Sequence, residues 1–191
     1  LLQPKVDMRL GKVLGAEALV RWHHPDRGLL APGEFLPDAQ DGDAVIALDE
    51  WVLEQALTQM AQWRAAGTGW PLAVNIAPHH FTSPAFFERL QAALARFHSV
   101  PAKWLVLEVV ESAALDNVEA TAALIARCKT LGVTFALDDF GVGHASLSYL
   151  RLLPADHLKI DRSFVADMLE DPHDLALVEA IIALARVFSL E

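Results

Sequence analysis

The sequence predicts an α/β fold of the (β/α)8-barrel (TIM) type, modified by an antiparallel first strand and lacking the last strand–helix units. Three observations carry this expectation. Strand-like apolar runs alternate with amphipathic helix-like stretches through most of the 191 residues, the pattern of parallel crossover units with helices outside. The first two strand-like runs, Leu2–Asp7 and Val13–Arg21, are joined only by "MRLGK". A parallel crossover needs a dozen residues or more, so this pair must be antiparallel. Finally, Glu17, Asn75, Glu108, Asp138 and Lys159 fall on five different strands, most of them near the C-terminal ends where barrel enzymes gather their chemistry. An open doubly wound sheet competes, and these polar residues tip the choice. Six strands can be counted against the eight of a closed barrel, so the barrel is expected to be truncated.

The elements follow in order. After the antiparallel pair, "LDEWVLEQALTQMAQWRAAG" carries apolar residues at helical spacing and stops at Gly67. "PLAVNIA" reads as a strand and "SPAFFERLQAALARFH" as a helix, with Ser83 as cap and Pro84 in the first turn. "WLVLEVV" is a strand, and "NVEATAALIARCKTLG" a helix closed by Gly132. "VTFALDD" is a strand, leading through a loop to the short helix "SLSYLRLL". "DHLKID" is the sixth strand and "DPHDLALVEAIIALARVF" the last helix.

Composition narrows the function. At 53% hydrophobic and 21% charged, the chain suits one globular domain with a sizeable core. Its 15 basic and 25 acidic residues give a net charge of −10, which argues against a general DNA- or RNA-binding face. A phosphate ligand remains compatible where a bound cation supplies the positive charge. Cys128 is the single cysteine, so no internal disulfide forms, and a reduced, buried thiol is expected. No apolar run reaches the ~18 residues of a membrane helix, and no signal peptide precedes the first strand. The sequence opens within an apparent strand, so a longer parent protein is expected.

Each charged position has an ordinary structural explanation. Glu17 and Arg21 in "GAEALVRW" could form an internal pair, and Asn75 in "PLAVNIAP" could satisfy backbone groups. Glu111 in "LVLEVVES" could face solvent, and Lys159 and Asp161 in "HLKIDRSF" could pair at the surface. His23, His24, His79 and His80 form tandem pairs in turn-like sequence. They lack the spacing of a zinc site, so all four are expected in surface loops. "DFG" stands without the glycine-rich loop, strand lysine or "HRD" of a kinase. Together, however, four oxygen ligands on four strands plus Asp139 are hard to explain as structure. Such a set suits Mg²⁺ or Mn²⁺, in a two-metal arrangement for phosphoester hydrolysis.

At this point the chain resembles a known family: the EAL domain, bacterial phosphodiesterases acting on cyclic di-GMP. Glu17-Ala18-Leu19 is the name-giving triplet, and "PGEFLP", "LDEWVLEQA", "VNIA", "LEVVES", "LDDFGVGHASLSYLRLLP" and "LKIDRSFV" follow in family order. The resemblance implies metal-dependent hydrolysis of cyclic di-GMP to linear pGpG. The alternative it leaves is a catalytically impaired receptor that binds cyclic di-GMP without cleaving it. It implies Glu17, Asn75, Glu108 and Asp138 as ligands of Mg²⁺ or Mn²⁺, with Asp139 helping to hold a second ion. Lys159 corresponds to the lysine near the attacking water, and Gln3 and Arg21 to substrate-side residues. Glu111 corresponds to the glutamate that orders the loop after Asp139, a loop linked to homodimer formation.

The resemblance further implies a cytoplasmic domain, 1–191, of a longer protein with a diguanylate cyclase or sensor partner domain, and is compatible with a membrane anchor elsewhere in that protein. The domain is expected to be cut short before the family's "AEGVE" strand. Against the family pattern, Val142, His144 and Ala145 replace Thr, Tyr and Ser in the loop. Val110 replaces Thr, and Ala77 replaces Ser. Each change removes a hydroxyl.

Overall fold

The computed structural model describes residues 1–36, 42–111, 117–142 and 147–191. Gly143, His144 and Ala145, with the last residues of "PGEFLP" and "LEVVES", lie outside the described residues. The chain divides into two compact units, residues 1–107 with 131–133, and residues 108–130 with 134–191.

In the first unit, β1 (Leu2–Asp7) and β2 (Lys12–Ala18) form the expected antiparallel pair, with Gln3 opposite Glu17. The second strand ends at Ala18, not at Arg21. Leu19 and Arg21 are therefore not strand residues sharing Glu17's face. A short hairpin that the sequence reading lacked follows, β3 (Trp22–His24) with β4 (Gly28–Leu30), then the one-turn helix α1 (Pro32–Phe35). Helix α2 runs Asp43–Ala65 and buries Val45, Ile46, Asp49, Leu53, Ala56, Leu57 and Met60, a stripe at i, i+4 and i+7-type spacing.

Strand β5 (Leu72–Asn75) pairs in parallel with β2 and buries its first three residues. Glycine is required at one point here. A Cβ on Gly15 would lie 2.6 Å from the Pro71 carbonyl oxygen, and that oxygen accepts from Ala16 N at 3.0 Å. Two short pieces follow, α3 (Pro78–Phe81) and α4 (Phe86–Arg96). The cap of α4 is Ala85, so this helix starts later than Ser83 and Pro84 suggested. The core of this unit includes Leu57, Met60, Leu72, Val74, Phe81, Phe86 and Leu90, each at most 1% exposed.

The chain crosses from one unit to the other within β6 (Leu105–Val110), whose first five residues are all buried. Burial on both faces is what a parallel interior strand requires. In the second unit, α5 (Val118–Lys129) starts from Asn117, whose Oδ1 accepts from Ala120 N at 3.1 Å. Cys128 is buried on it as a reduced thiol outside any disulfide, as expected. Strand β7 (Thr134–Phe140) pairs in parallel with β8 (His157–Ile160). Asp156 ties their beginnings together: Oδ2 accepts from Phe135 N at 2.9 Å, and Oδ1 from Lys129 Nζ at 2.6 Å. Helices α6 (Leu147–Leu152), α7 (Arg162–Ala166) and α8 (Pro172–Val187) complete the described residues.

Candidate active site

In the first unit, Glu17 sits one residue before the end of β2, half-buried, and Asn75 is the exposed last residue of β5. Asn75 Nδ2 donates to Glu17 Oε1 at 2.9 Å. An ionised carboxylate only accepts, so the amide nitrogen must face Glu17, leaving Asn75 Oδ1 as the outward acceptor. That is the atom a hard cation would use. Gln3 is exposed on β1, directly across from Glu17.

Arg21 lies past the strand end, and its Nη1 donates to the Val20 carbonyl at 2.7 Å. With Leu19, Trp51 and Leu72 it lines a cavity of about 350 Å³ in this unit. The tandem histidines split. His23 and His79 are exposed and His24 is half-buried, but His80 is only 1% exposed, contrary to the surface-loop expectation. Within the helical turn that starts at Pro78, His80 is carried inward while His79 stays at the surface.

In the second unit, Glu108 is the fourth residue of β6 and 1% exposed. A lone buried carboxylate would be prohibitive. Lys159 Nζ, from the middle of β8, donates to Glu108 Oε2 at 2.6 Å and to Asp138 Oδ2 at 2.9 Å. Lys159 is therefore not paired at the surface with Asp161. Burial works against the charge on Lys159, but Glu108 and Asp138 outweigh it and hold the ammonium above its ordinary 10.5. Asp161 is instead the half-buried cap of α7. Hydrogen bonds from the Ser163 hydroxyl and backbone hold its carboxyl below the usual 3.8.

Asp138 and Asp139 do not mark the end of β7, which continues to Phe140. Three steps on β7, Leu137 to Phe140, are matched by two on β8, Leu158 to Ile160. The extra residue is a bulge. Asp139 takes φ 55° there, and its N–H donates to Asp138 Oδ1 at 3.0 Å. Partial burial, then the charges of Asp138 and Asp161, push the Asp139 carboxyl above 3.8, with Lys159 opposing.

Glu111 follows β6 and is buried at 5% exposure rather than facing solvent. Its Oε2 accepts from Gly141 N at 3.0 Å. Gly141 has φ 104°, and a Cβ there would meet the Phe164 ring at 2.9 Å. Backbone and packing both demand glycine at this point of the loop.

The sequence reading missed Asp49, a carboxylate on the buried stripe of α2. The signal was present: its position carries the same helical period as Val45, Leu53 and Ala56.

The class expected from the sequence is thus met: an α/β chain of modified barrel type, with an antiparallel opening pair, parallel strands after it, and acidic, amide and lysine side chains at or near strand ends. The family model for the EAL domain matches residues 1–191. The chain is 41% identical over 190 residues to the bifunctional diguanylate cyclase/cyclic di-GMP phosphodiesterase MucR of Pseudomonas aeruginosa, covering 99% of this chain and 28% of that protein. It is 36% identical over 183 residues to the cyclic di-GMP phosphodiesterase PA2567 of the same organism, covering 96% and 31%. A solved structure, the PaMucR phosphodiesterase in complex with c-di-GMP, superposes with a TM-score of 0.94 at 41% identity, covering 99% of this chain and 76% of that one. The chain spans less than a third of the length of these curated relatives. It belongs to the EAL-domain family.

Proposed function

We propose that this domain hydrolyses cyclic di-GMP to linear pGpG, using two divalent cations, Mg²⁺ or Mn²⁺. The observation that carries the reading is the wiring of Lys159 to Glu108 and Asp138. Two carboxylates that the fold gathers around one ammonium form a site for positive charge. The donor set fits such ions: Glu17, Asn75, Glu108, Asp138 and Asp139 offer only oxygen, the preference of hard cations. When bound, the cations would polarise a phosphoryl oxygen and make a water acidic enough to attack.

The chain's own groups do the rest. Arg21 and Gln3 bind and orient the dinucleotide, the guanidinium taking a non-bridging phosphate oxygen. Lys159 holds the water near Glu108 and Asp138 and offsets charge as it builds on phosphorus. The oxygen of water bonds to phosphorus, one ring P–O bond breaks, and the departing hydroxyl takes up a proton. Glu111, through Gly141, fixes the loop after Asp139. We extend the proposal to homodimer formation through that loop and the following helix, to a cytoplasmic setting, and to a longer parent carrying a cyclase or sensor domain. Among the described residues, no helix is long and apolar enough to cross a membrane.

The test is chromatography of cyclic di-GMP incubated with the parent protein and Mg²⁺ or Mn²⁺. Appearance of pGpG, abolished by a chelator, is expected. Tight calorimetric binding without product would leave a receptor in place of a hydrolase.

A further inference from the structure

Asp49 is 8% exposed on the core-facing stripe of α2, where a carboxylate is costly unless its acceptors are filled. Both of its partners come from the segment just after β5. Oδ2 accepts from Ala77 N at 2.7 Å and lies 3.2 Å from His80 Nδ1. A carboxylate so placed makes Nδ1 the nitrogen that donates. Nε2 is buried and has no hydrogen-bond partner among the described residues, while the ring packs edge-on against Phe86 at 5.0 Å. His80 is thus locked in one orientation, and buttresses the carboxylate against Ala77.

The placement matters because of what stands two residues earlier. The pairing of β5 with β2 runs from Leu72 to Val74, so Asn75 lies just past that ladder. The Asp49–Ala77 bond fixes the chain on its far side. Between these two anchors Asn75 turns its amide nitrogen to Glu17.

We propose that Asp49, buttressed by His80, is a positioning residue for divalent-cation binding, acting through Asn75. It fixes the exit of β5 so that Asn75 Oδ1 stays presented as a ligand. The inference rests on the reading of Asn75 as a cation ligand. The competing role for Asp49 is a plain cap on the short helix α3, which would affect stability alone.

The experiment titrates Mn²⁺ into the parent protein without substrate, by calorimetry and by the electron paramagnetic resonance of bound Mn²⁺. Turnover is then measured at saturating Mn²⁺. Asp49→Leu should weaken Mn²⁺ binding about tenfold, the scale for losing an outer-shell partner, with KM for cyclic di-GMP within about twofold. Asp49→Asn, whose amide oxygen can still accept from both Ala77 N and His80 Nδ1 where Oδ2 now stands, should restore affinity to within about threefold. Ala77→Pro approaches the same bond from the donor's side. Ala77 has φ −63°, which proline adopts while lacking the N–H, so it should reproduce the loss. Either disrupting variant that is folded by circular dichroism yet binds Mn²⁺ like wild type, with only its melting temperature lowered, overturns the proposal; if Asp49→Leu does not fold, Ala77→Pro decides. A wild-type parent that binds Mn²⁺ without forming pGpG would remove the hydrolase reading and leave this one intact.

Discussion

Replacing Lys159 by methionine removes the ammonium that bridges Glu108 and Asp138 while keeping most of the side chain's bulk. In the folded chain Nζ lies 2.6 Å from Glu108 and 2.9 Å from Asp138, with side-chain exposures of 26%, 0% and 16% for the lysine, the glutamate and the aspartate. Removing one partner of a buried pair costs about 3–5 kcal/mol, because the remaining charge is left uncompensated. The partial water access of the lysine tip places this case at the lower end, about 3 kcal/mol. For a chain of this size that is a fall of about 6–12 °C in melting temperature.

The pH dependence has a definite sign. Because the folded state raises Lys159 above 10.5, its contribution is fully present below that value and fades only as pH rises beyond it. The gap between variant and wild type should therefore be constant from about pH 7 to 9. Added Mn²⁺ should stabilise the variant more than wild type, because the cation replaces the missing charge. The assay is a thermal melt in chelator and in Mn²⁺ across that pH range. A variant melting within 2 °C of wild type in chelator at pH 8, or a gap undiminished in Mn²⁺, would refute this account of the site's charge balance.

Other outcomes follow from the same geometry. Asp139→Asn removes a carboxyl that the fold holds above 3.8 and places an αL-tolerant residue at φ 55°. It should raise the metal-free melting temperature by about 1–2 °C at neutral pH. That benefit should vanish as pH drops below 3.8, where both states are protonated, and scanning fluorimetry would expose a contrary shift. Gly15→Ala drives a methyl into the Pro71 carbonyl at 2.6 Å. It should cost about 2 kcal/mol, read in a urea unfolding curve as a lowered midpoint with unchanged slope. Glu111→Ala strips the acceptor from Gly141 N. Hydrogen exchange at that amide should speed about tenfold, whereas Glu111→Gln, which keeps an acceptor, should leave it protected.

What the sequence made legible, and what it hid, divides along physical lines. Glu108 stood out because a single carboxylate inside "LVLEVV" has no cheap structural excuse, and the antiparallel opening pair followed from the reach of five residues of chain. The hairpin of Trp22–His24 with Gly28–Leu30 escaped because three-residue strands carry too little alternation to register. The bulge at Asp139 was invisible because it depends on the register of β8, a partner some twenty residues away. His80 and Asp49 were misjudged or passed over for one shared reason. Each alone reads as a side chain that should face water, and each is tolerated inside only because the other is beside it.

Lys159 also bears on the order in which this protein is made. Glu108 and Asp138 together carry two negative charges, and the ammonium between them leaves one. A newly synthesised chain can therefore close around these carboxylates with a counter-charge drawn from its own sequence, before any ion reaches it. On the proposed reading, an incoming cation would compete with this tethered lysine for the same carboxylates. On that same reading, scarcity of metal would idle the domain without unfolding it, and replenishment would restore it without resynthesis.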